Sequence, residues 1–375
     1  MDNKILFLPG LNGIRAFAAM GVLLSHINLS LNNFGLKNAS FFGYSANGKQ
    51  KGYVLGEHGV TMFFVLSGFL ISFLLLNEYK KINTIKVKEF YIRRILRIWP
   101  LYFLYIILVG ICYYLFLNLS FNYNLVYYLF FAANVPFVNE VALPAMDHLW
   151  SIAVEEQFYL FWPFLFVFLV KNGKFSTYLI GGIIFLSIFR IFIWYIAPFS
   201  ITALYSVVNR FDCMFFGAMG AYALYKNFRI IDLLGSRLNQ LFCLIILALL
   251  ILNKFWFINS IIEIFIVEYI TLGLIIGQIK VKNRIINLEN KPLNYLGKIS
   301  FGVYVYHPLI ILISSHFIKY NNQINGVWFL IFIFFIVISA TLVVSHLSFF
   351  YFEKKFLKLK HRFSIVKSTN DPQGK

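Results

Sequence analysis

Long apolar runs separated by short polar segments dominate the chain. Crossing the hydrocarbon core of a bilayer takes about 20 consecutive apolar residues, and ten runs approach or exceed that length. They cover residues 10–30, 58–77, 98–118, 151–170, 178–197, 203–225, 238–253, 256–278, 299–318 and 326–350. A shorter apolar stretch, 121–136, predicts an interfacial or re-entrant helix. The pattern predicts an all-α, polytopic membrane protein with about ten transmembrane helices.

Composition supports a membrane protein and excludes several other classes. Of the 375 residues, 60% are hydrophobic and 13% are charged, against roughly 45–50% and 25% in soluble domains. A disordered chain and a disulfide-stapled secreted scaffold are therefore excluded. We take the N-terminal run as the first span and not as a signal peptide, because Arg15 interrupts it and no small-residue cleavage site follows.

The distribution of basic residues predicts the orientation in the membrane. The formal net charge is +18, and with the N-terminus inside, 25 of the 33 Lys and Arg residues fall in cytoplasmic segments and five outside. This bias follows the positive-inside rule and predicts that both termini are cytoplasmic. The basic residues then act as topology anchors and do not indicate a nucleic-acid partner. We expect a membrane domain over residues 1–355 and a basic, frayed cytoplasmic tail over 356–375.

The first predicted span contains two ionisable residues, Arg15 and His26. An ionisable side chain at the bilayer centre costs about 2.5–3.5 kcal/mol and needs a partner or a watery cavity. Eleven helical residues place the two about 16 Å apart along the axis and within about 20° of one face. They mark either a functional stripe or a snorkelling arginine and an interfacial histidine.

Other polar clusters also interrupt the apolar runs, and each has a purely structural alternative. Arg93, Arg94 and Arg97 can share a helical face and bind phosphate, or can be an ordinary cytoplasmic cluster. Ser67 and Gly68 allow close helix packing.

Two further clusters lie in later spans. Arg210 and Asp212 can form an internal ion pair, and His307 lies deep in the ninth span beside a proline. The histidines are scattered over different spans, so the sequence predicts no metal site.

Polar residues enter the fourth span from the outside. Glu155 and Glu156 point about 100° apart on a helix, so at least one of them faces the bundle interior. His148 begins this block, which also contains Trp150, Ser151, Gln157 and Tyr159.

Five of these blocks, in matching order, resemble the motifs of the acyltransferase-3 family, the integral-membrane O-acyltransferases that modify bacterial envelope glycans and some small molecules. They are Arg15 with His26, residues 64–71 around Ser67 and Gly68, residues 93–102 with the arginines, residues 150–159, and Tyr304 with His307 and Pro308. The resemblance covers residues 8–355 and implies a multi-pass protein of the bacterial cytoplasmic membrane.

The resemblance also implies roles for individual residues. Arg93, Arg94, Arg97 and Arg15 would bind the phosphates of cytoplasmic acyl-CoA, with acetyl-CoA the first candidate. His26 would be the general base for an acceptor hydroxyl, and Glu155 would orient its imidazole. The other motif residues would support substrate or structure; they are Ser67, Gly68, Trp150, Ser151, Gln157, Tyr159, Arg210, Asp212 and His307.

The resemblance implies an extracytoplasmic acceptor and leaves its identity open. A surface polysaccharide or its lipid-linked precursor is the main candidate, and a small molecule such as a macrolide is the alternative. Family members often carry an extra esterase-like domain that this sequence does not show, which implies a stand-alone enzyme or a separate extracytoplasmic transferase partner. A glycan transporter without chemistry is the alternative from another class, because paired charges also mark transporters.

Overall fold

The computed structural model describes residues 8–44, 48, 50–252, 260–321 and 325–366. These residues form α-helices joined by turns, and no β-strand is found among them, which confirms the all-α prediction for this part of the chain. The helices are α1 (Leu11–Leu29), α2 (Tyr53–Ile82), α3 (Val87–Cys112), α4 (Leu125–Leu129), α5 (Asn134–Val138), α6 (Trp150–Lys171), α7 (Phe175–Ile196), α8 (Ile201–Val208), α9 (Phe211–Lys226), α10 (Ile230–Leu234), α11 (Arg237–Ile251), α12 (Ser260–Ile279), α13 (Lys291–Phe317), α14 (Gly326–Leu347) and α15 (Lys354–Lys360).

Seven helical segments within the described ranges are long and apolar enough to cross a membrane. They are Tyr53–Ile82, Val87–Leu117, Asp147–Lys171, Phe175–Ile196, Ile262–Ile279, Lys291–Phe317 and Gly326–Phe363. Helices also lie at the remaining predicted spans, where α1 has 19 residues and α11 has 15. The chain is therefore a multi-pass membrane protein, in which some helices are shorter than the apolar runs suggested.

The apolar run at 203–225 is two helices, so the prediction of one continuous sixth span is wrong. Arg210 lies between α8 and α9 with a non-helical backbone. Its guanidinium turns inward and donates hydrogen bonds to Thr61 and Glu57 of α2 at 2.8 and 2.6 Å. These bonds explain the interruption, because a buried guanidinium must be paired to be stable.

Helix α2 lies at the centre of the bundle, where it contacts α1, α6, α9 and α12. A Cβ atom added at Gly68 would collide with the Met214 carbonyl of α9, and one added at Gly217 would collide with the Val65 carbonyl. Glycine is required at both positions because the two backbones approach so closely. Helix α1 packs between α2 and α13, which places the polar residues of three helices side by side.

Two segments outside the long helices bear on the predictions. The stretch 121–136 contains α4 and the start of α5, helices of five residues each that are too short to cross a bilayer. The tail expected to fray is instead packed against α3 as far as it is described. Arg93 donates to the Phe363 carbonyl at 2.8 Å. Residues 367–375 of the tail lie outside the described ranges.

Candidate active site

An internal cavity between α1, α2, α3, α6 and α13 contains three arginine side chains. We call it the arginine cavity; its polar lining consists of Arg15, Arg94, Arg97, Ser67, Ser151, Glu155, Tyr159, Ser300 and Tyr304. Arg94 and Arg97 are three residues apart on α3 and therefore share one face. Arg15 joins them from the first turns of α1. The structure thus brings three of the four predicted donor-binding arginines into one cavity.

The positive charge in this cavity is not matched by ion pairs. Within the described ranges, Arg15, Arg94 and Arg97 form no ion pair within 4.0 Å. The Arg94 guanidinium lies 5.5 Å from the Tyr159 ring centroid, and its Nε is buried without a hydrogen-bond partner. Three guanidiniums against the one carboxylate of Glu155 leave the cavity positive, so the residues present fit a polyanionic group such as a phosphate.

The fourth predicted arginine has a different environment. Arg93 forms an ion pair with Glu78 at 3.1 Å. It lines a neighbouring space, the basic mouth, which shares Arg15, Arg94 and Arg97 with the arginine cavity. The basic mouth is completed by Lys360 and Ser364 from the C-terminal segment.

Glu155 belongs to the arginine cavity and does not contact His26. Its carboxylate accepts hydrogen bonds from Ser67 Oγ at 2.7 Å and from the Tyr159 hydroxyl at 3.3 Å. Gly56 of α2 lies beside His26, whereas Ser67 lies eleven residues further along α2, an axial rise of about 16 Å. The expectation that Glu155 orients the His26 imidazole is therefore corrected, because the two side chains lie at different depths.

A second internal space, the histidine cavity, lies toward the opposite end of α1. Its lining includes His26, Tyr53, Glu57, His148, Trp150 and Arg210. Val60 and Tyr304 line both the histidine cavity and the arginine cavity. Beyond His26 the space continues into a wider vestibule, whose lining includes Tyr53, Phe137, Glu140, Asp147 and Pro308. The four spaces form a series from the basic mouth to the vestibule.

His26 contacts a second histidine from α13. His26 Nδ1 and His307 Nε2 are 2.8 Å apart, and the ring centroids are 4.9 Å apart. His307 is fully buried and also contacts the Val303 carbonyl through Nδ1 at 3.0 Å. Two predicted site residues that are 281 positions apart in the sequence therefore form one pair.

Comparison with known proteins identifies the family of this chain. Residues 8–346 match the family model described as acyltransferase domain. The chain belongs to the acyltransferase-3 family. No solved structure matches it.

The curated relatives that match the chain are named as O-acetyltransferases. The chain is 27% identical over 384 residues to O-acetyltransferase OatA of Staphylococcus aureus strain NCTC 8325 / PS 47. It is 27% identical over 387 residues to a protein of strain COL that carries the provisional name O-acetyltransferase. These alignments cover 94–95% of this chain but only 57–58% of the relatives.

The remaining residues of the fourth-span motif line the cavities or hold neighbouring segments in place by hydrogen bonds. Ser151 and the Tyr304 hydroxyl are 2.5 Å apart, and Tyr304 also donates to the His148 carbonyl at 2.9 Å. Gln157 donates to the Phe131 carbonyl at 3.0 Å and so holds the loop before α5. Trp150 lines the histidine cavity, so the motif of this acyltransferase-3 chain spans the boundary between the two internal spaces.

Arg210 and Asp212 do not pair with each other, which corrects the sequence-based explanation. Arg210 pairs with Glu57 at 2.6 Å, whereas Asp212 pairs with Arg190 at 2.9 Å. Arg190, Arg210 and Asp212 are all buried. Arg210 and Asp212 therefore form separate ion pairs, because their side chains point toward different helices.

One group of potential metal ligands occurs among the described residues. Asp212, Cys213 and Glu268 are buried, with ligand atoms within 4.8 Å of one another. Arg190 NH2, however, lies within 3.0 Å of both Asp212 oxygens. We assign no metal to this cluster, because a guanidinium already holds the carboxylate from which a cation would need a ligand atom.

The sequence did not identify every residue that lines these spaces. His148 lies two residues before Trp150, and its ring centroid lies 5.4 Å from that of His307. The sequence marks it as a polar residue at the start of the fourth span but assigns it no role. Lys360 was one basic residue among many in the C-terminal tail, and nothing in the sequence distinguished it.

Proposed function

We propose that this protein is a membrane O-acyltransferase that moves an acyl group, with acetyl preferred, from acyl-CoA to an acceptor hydroxyl. The cytoplasm supplies the donor, and the acceptor is an extracytoplasmic surface polysaccharide or its lipid-linked precursor. The names of the curated relatives support O-acetyl transfer. The observation that carries the proposal is the series of adjacent spaces that share lining residues, with unpaired arginines at one end and His26 at the other.

The arginine cavity suits the nucleotide end of the donor. Arg15, Arg94 and Arg97 supply planar, permanently charged groups that bind phosphate in bidentate geometry. Lys360 extends the same positive surface at the basic mouth. Charge-assisted hydrogen bonds of this kind are among the strongest that a binding site can form.

The distance between the two sites suits the remainder of the donor. Eleven residues of α1 separate Arg15 from His26, a rise of about 16 Å. A flexible pantetheine arm held by its phosphates at the arginines would extend past Val60 and Tyr304 toward the histidine cavity. The thioester carbonyl is thereby placed near His26 without moving the charged head of the donor.

His26 would handle the proton. Transfer forms a bond between the acceptor oxygen and the acyl carbon and breaks the bond between that carbon and the CoA sulfur. The hydroxyl proton goes to His26 and then to the CoA thiolate, so the products are an ester and free CoA. A neutral imidazole is suited to this task near pH 7. A covalent intermediate would change the order of the proton transfers but not the net products, an ester and free CoA.

The orientation follows the distribution of charge. We propose ten spans with both termini in the cytoplasm of a bacterial inner membrane, so that the basic mouth faces the cytoplasm and the vestibule faces outward. Lys80, Lys81 and Lys86 lie at the same end of the bundle as the basic mouth, at and just beyond the end of α2. Such residues anchor the cytoplasmic side of membrane proteins.

A defined reconstitution tests the proposal. Purified protein in liposomes, with acetyl-CoA added on the side of the basic mouth, should release free CoA thiol only when a hydroxyl acceptor is present on the other side. Labelled acetyl should appear on the acceptor as an ester. Acceptor extracts containing lipid-linked glycan are compared with macrolides. Translocation of unmodified glycan with no thiol release would instead indicate a transporter.

A further inference from the structure

The contacts of the two histidines determine where each ring carries its proton. His307 Nδ1 lies 3.0 Å from the Val303 carbonyl oxygen. A carbonyl can only accept a hydrogen bond, so Nδ1 of His307 must carry a hydrogen. A neutral imidazole has one such hydrogen, which leaves Nε2 of His307 with a free lone pair. That nitrogen lies 2.8 Å from His26 Nδ1 and accepts its hydrogen.

The surroundings favour neutral rings. His307 is completely buried, and neither His26 nor His307 forms an ion pair with a carboxylate among the described residues. Asp147 lines the same spaces as His26 but makes no ion pair with it, so burial still penalises the charged imidazolium. His148 does not compete for the pair, because its Nε2 contacts the Val305 carbonyl at 3.1 Å and its Nδ1 makes no hydrogen bond to either histidine.

We propose that His307 is a positioning residue that holds His26 as the Nδ1–H tautomer, so that Nε2 of His26 is the nitrogen that accepts the substrate proton. His26 lines both the histidine cavity and the vestibule, where an acceptor hydroxyl would approach. The catalytic consequence rests on the proposed function. The tautomer itself does not, because it follows from hydrogen bonds within the protein.

The helix around His307 fixes the partner nitrogen. Val303 is four residues before His307 on α13, so the ring bonds back to its own helix. Pro308 follows immediately and lacks a backbone N–H. Helix α13 packs directly on α1. The lone pair of His307 Nε2 is thereby directed at His26 from a rigid element.

The hydrogen bond between His26 and His307 persists when His26 takes a proton. When His26 takes the acceptor proton on Nε2, its Nδ1–H remains bonded to His307. The orienting group is then a neutral imidazole and not a carboxylate, which agrees with the location of Glu155 in the other cavity. His307 keeps its own Nδ1 hydrogen on the Val303 carbonyl, so it orients His26 without receiving the substrate proton.

Nitrogen NMR tests the assignment directly. The protein contains seven histidines, which can be labelled with ¹⁵N, and His26→Gln identifies the signals of His26. Wild-type His26 should show a protonated Nδ1, an unprotonated Nε2 and a coupling across the hydrogen bond to His307 Nε2. A proton on His26 Nε2, or no coupling to His307, would overturn the proposal.

Variants separate positioning from packing. His307→Gln places an amide oxygen where Nε2 was and should preserve the His26 tautomer and most of kcat. His307→Leu removes the acceptor, and should give mixed tautomers with kcat at least about 10-fold lower and an unchanged KM for acetyl-CoA. His316→Gln, at the exposed end of the same helix, is the matched control. An unchanged His26 tautomer in His307→Leu would contradict the proposal.

The failure of the proposed function would look different. If the wild-type protein had no transferase activity but His26 still carried its proton on Nδ1, the proposed function would be refuted and the tautomer assignment would stand.

Discussion

Ser67 of α2 donates a hydrogen bond to Glu155 of α6 at 2.7 Å. This contact joins two motifs that lie 88 residues apart and places a carboxylate in the cavity that holds Arg15, Arg94 and Arg97. Glu155 therefore acts on the arginines and on any phosphate bound there, and not on His26.

The charge of Glu155 opposes binding of a polyanion in the arginine cavity. Glu155→Gln should preserve the bond from Ser67, because the amide oxygen still accepts, and should tighten binding of CoA about 3- to 10-fold. Glu156→Gln is the matched control, since Glu156 accepts from Trp99 at 2.9 Å and does not line the cavity. Titration calorimetry measures both. Weaker binding in Glu155→Gln would show that the carboxylate is needed to position the arginines.

The C-terminal segment should contribute to donor binding. Lys360 is buried at the basic mouth with Arg93 and Arg97, although it lies beyond the part of the chain that matches the family model. Lys360→Gln should weaken CoA binding about 5-fold, the effect of roughly 1 kcal/mol. Lys358→Gln, two residues away and exposed, should have no effect. Equal affinities of the two variants would remove Lys360 from the site.

The buried ion pair of Arg190 and Asp212 should be essential for stability. Asp212→Asn leaves a buried guanidinium without its counter-charge, which typically costs about 3–5 kcal/mol. Asp232→Asn removes a carboxylate from an exposed pair with Lys280 and should change stability by less than about 1 kcal/mol. Thermal unfolding in detergent compares them. Similar unfolding temperatures for the two variants would contradict the assigned contact.

The proposed orientation is testable in intact cells. Single cysteines replace Asn139 and Asn287, both exposed, in a background where the three native cysteines are removed. A membrane-impermeant maleimide should label position 139 and leave position 287 unlabelled until the cells are opened. The reverse pattern would invert the topology and place the basic mouth outside. Position 47, which also falls in a predicted outside segment, lies outside the described residues.

The sequence predicted the elements of this fold better than their contacts. Apolar runs mark helices because a bilayer imposes a minimum length on every span, and helices occur at each predicted position. The break at Arg210 was missed, since hydropathy averages over one polar residue and does not show that its partner Glu57 lies on another helix.

Partners of buried charges were the least predictable feature. Arg210 and Asp212 are two residues apart in sequence but bind residues of different helices. The motifs indicated His26 and His307 separately. Their contact depends on the packing of α1 against α13, which no local pattern encodes.

The role of His26 is the central claim, and acyl transfer by His26→Gln measures it most directly. General-base catalysis contributes about 10²–10⁴-fold. The account predicts that ester formation on the acceptor falls by at least about 100-fold, while insertion and CoA binding stay at wild-type levels because the arginines lie about 16 Å away. The control His316→Gln should remain fully active. A His26→Gln protein that keeps most of its transfer activity would contradict the account.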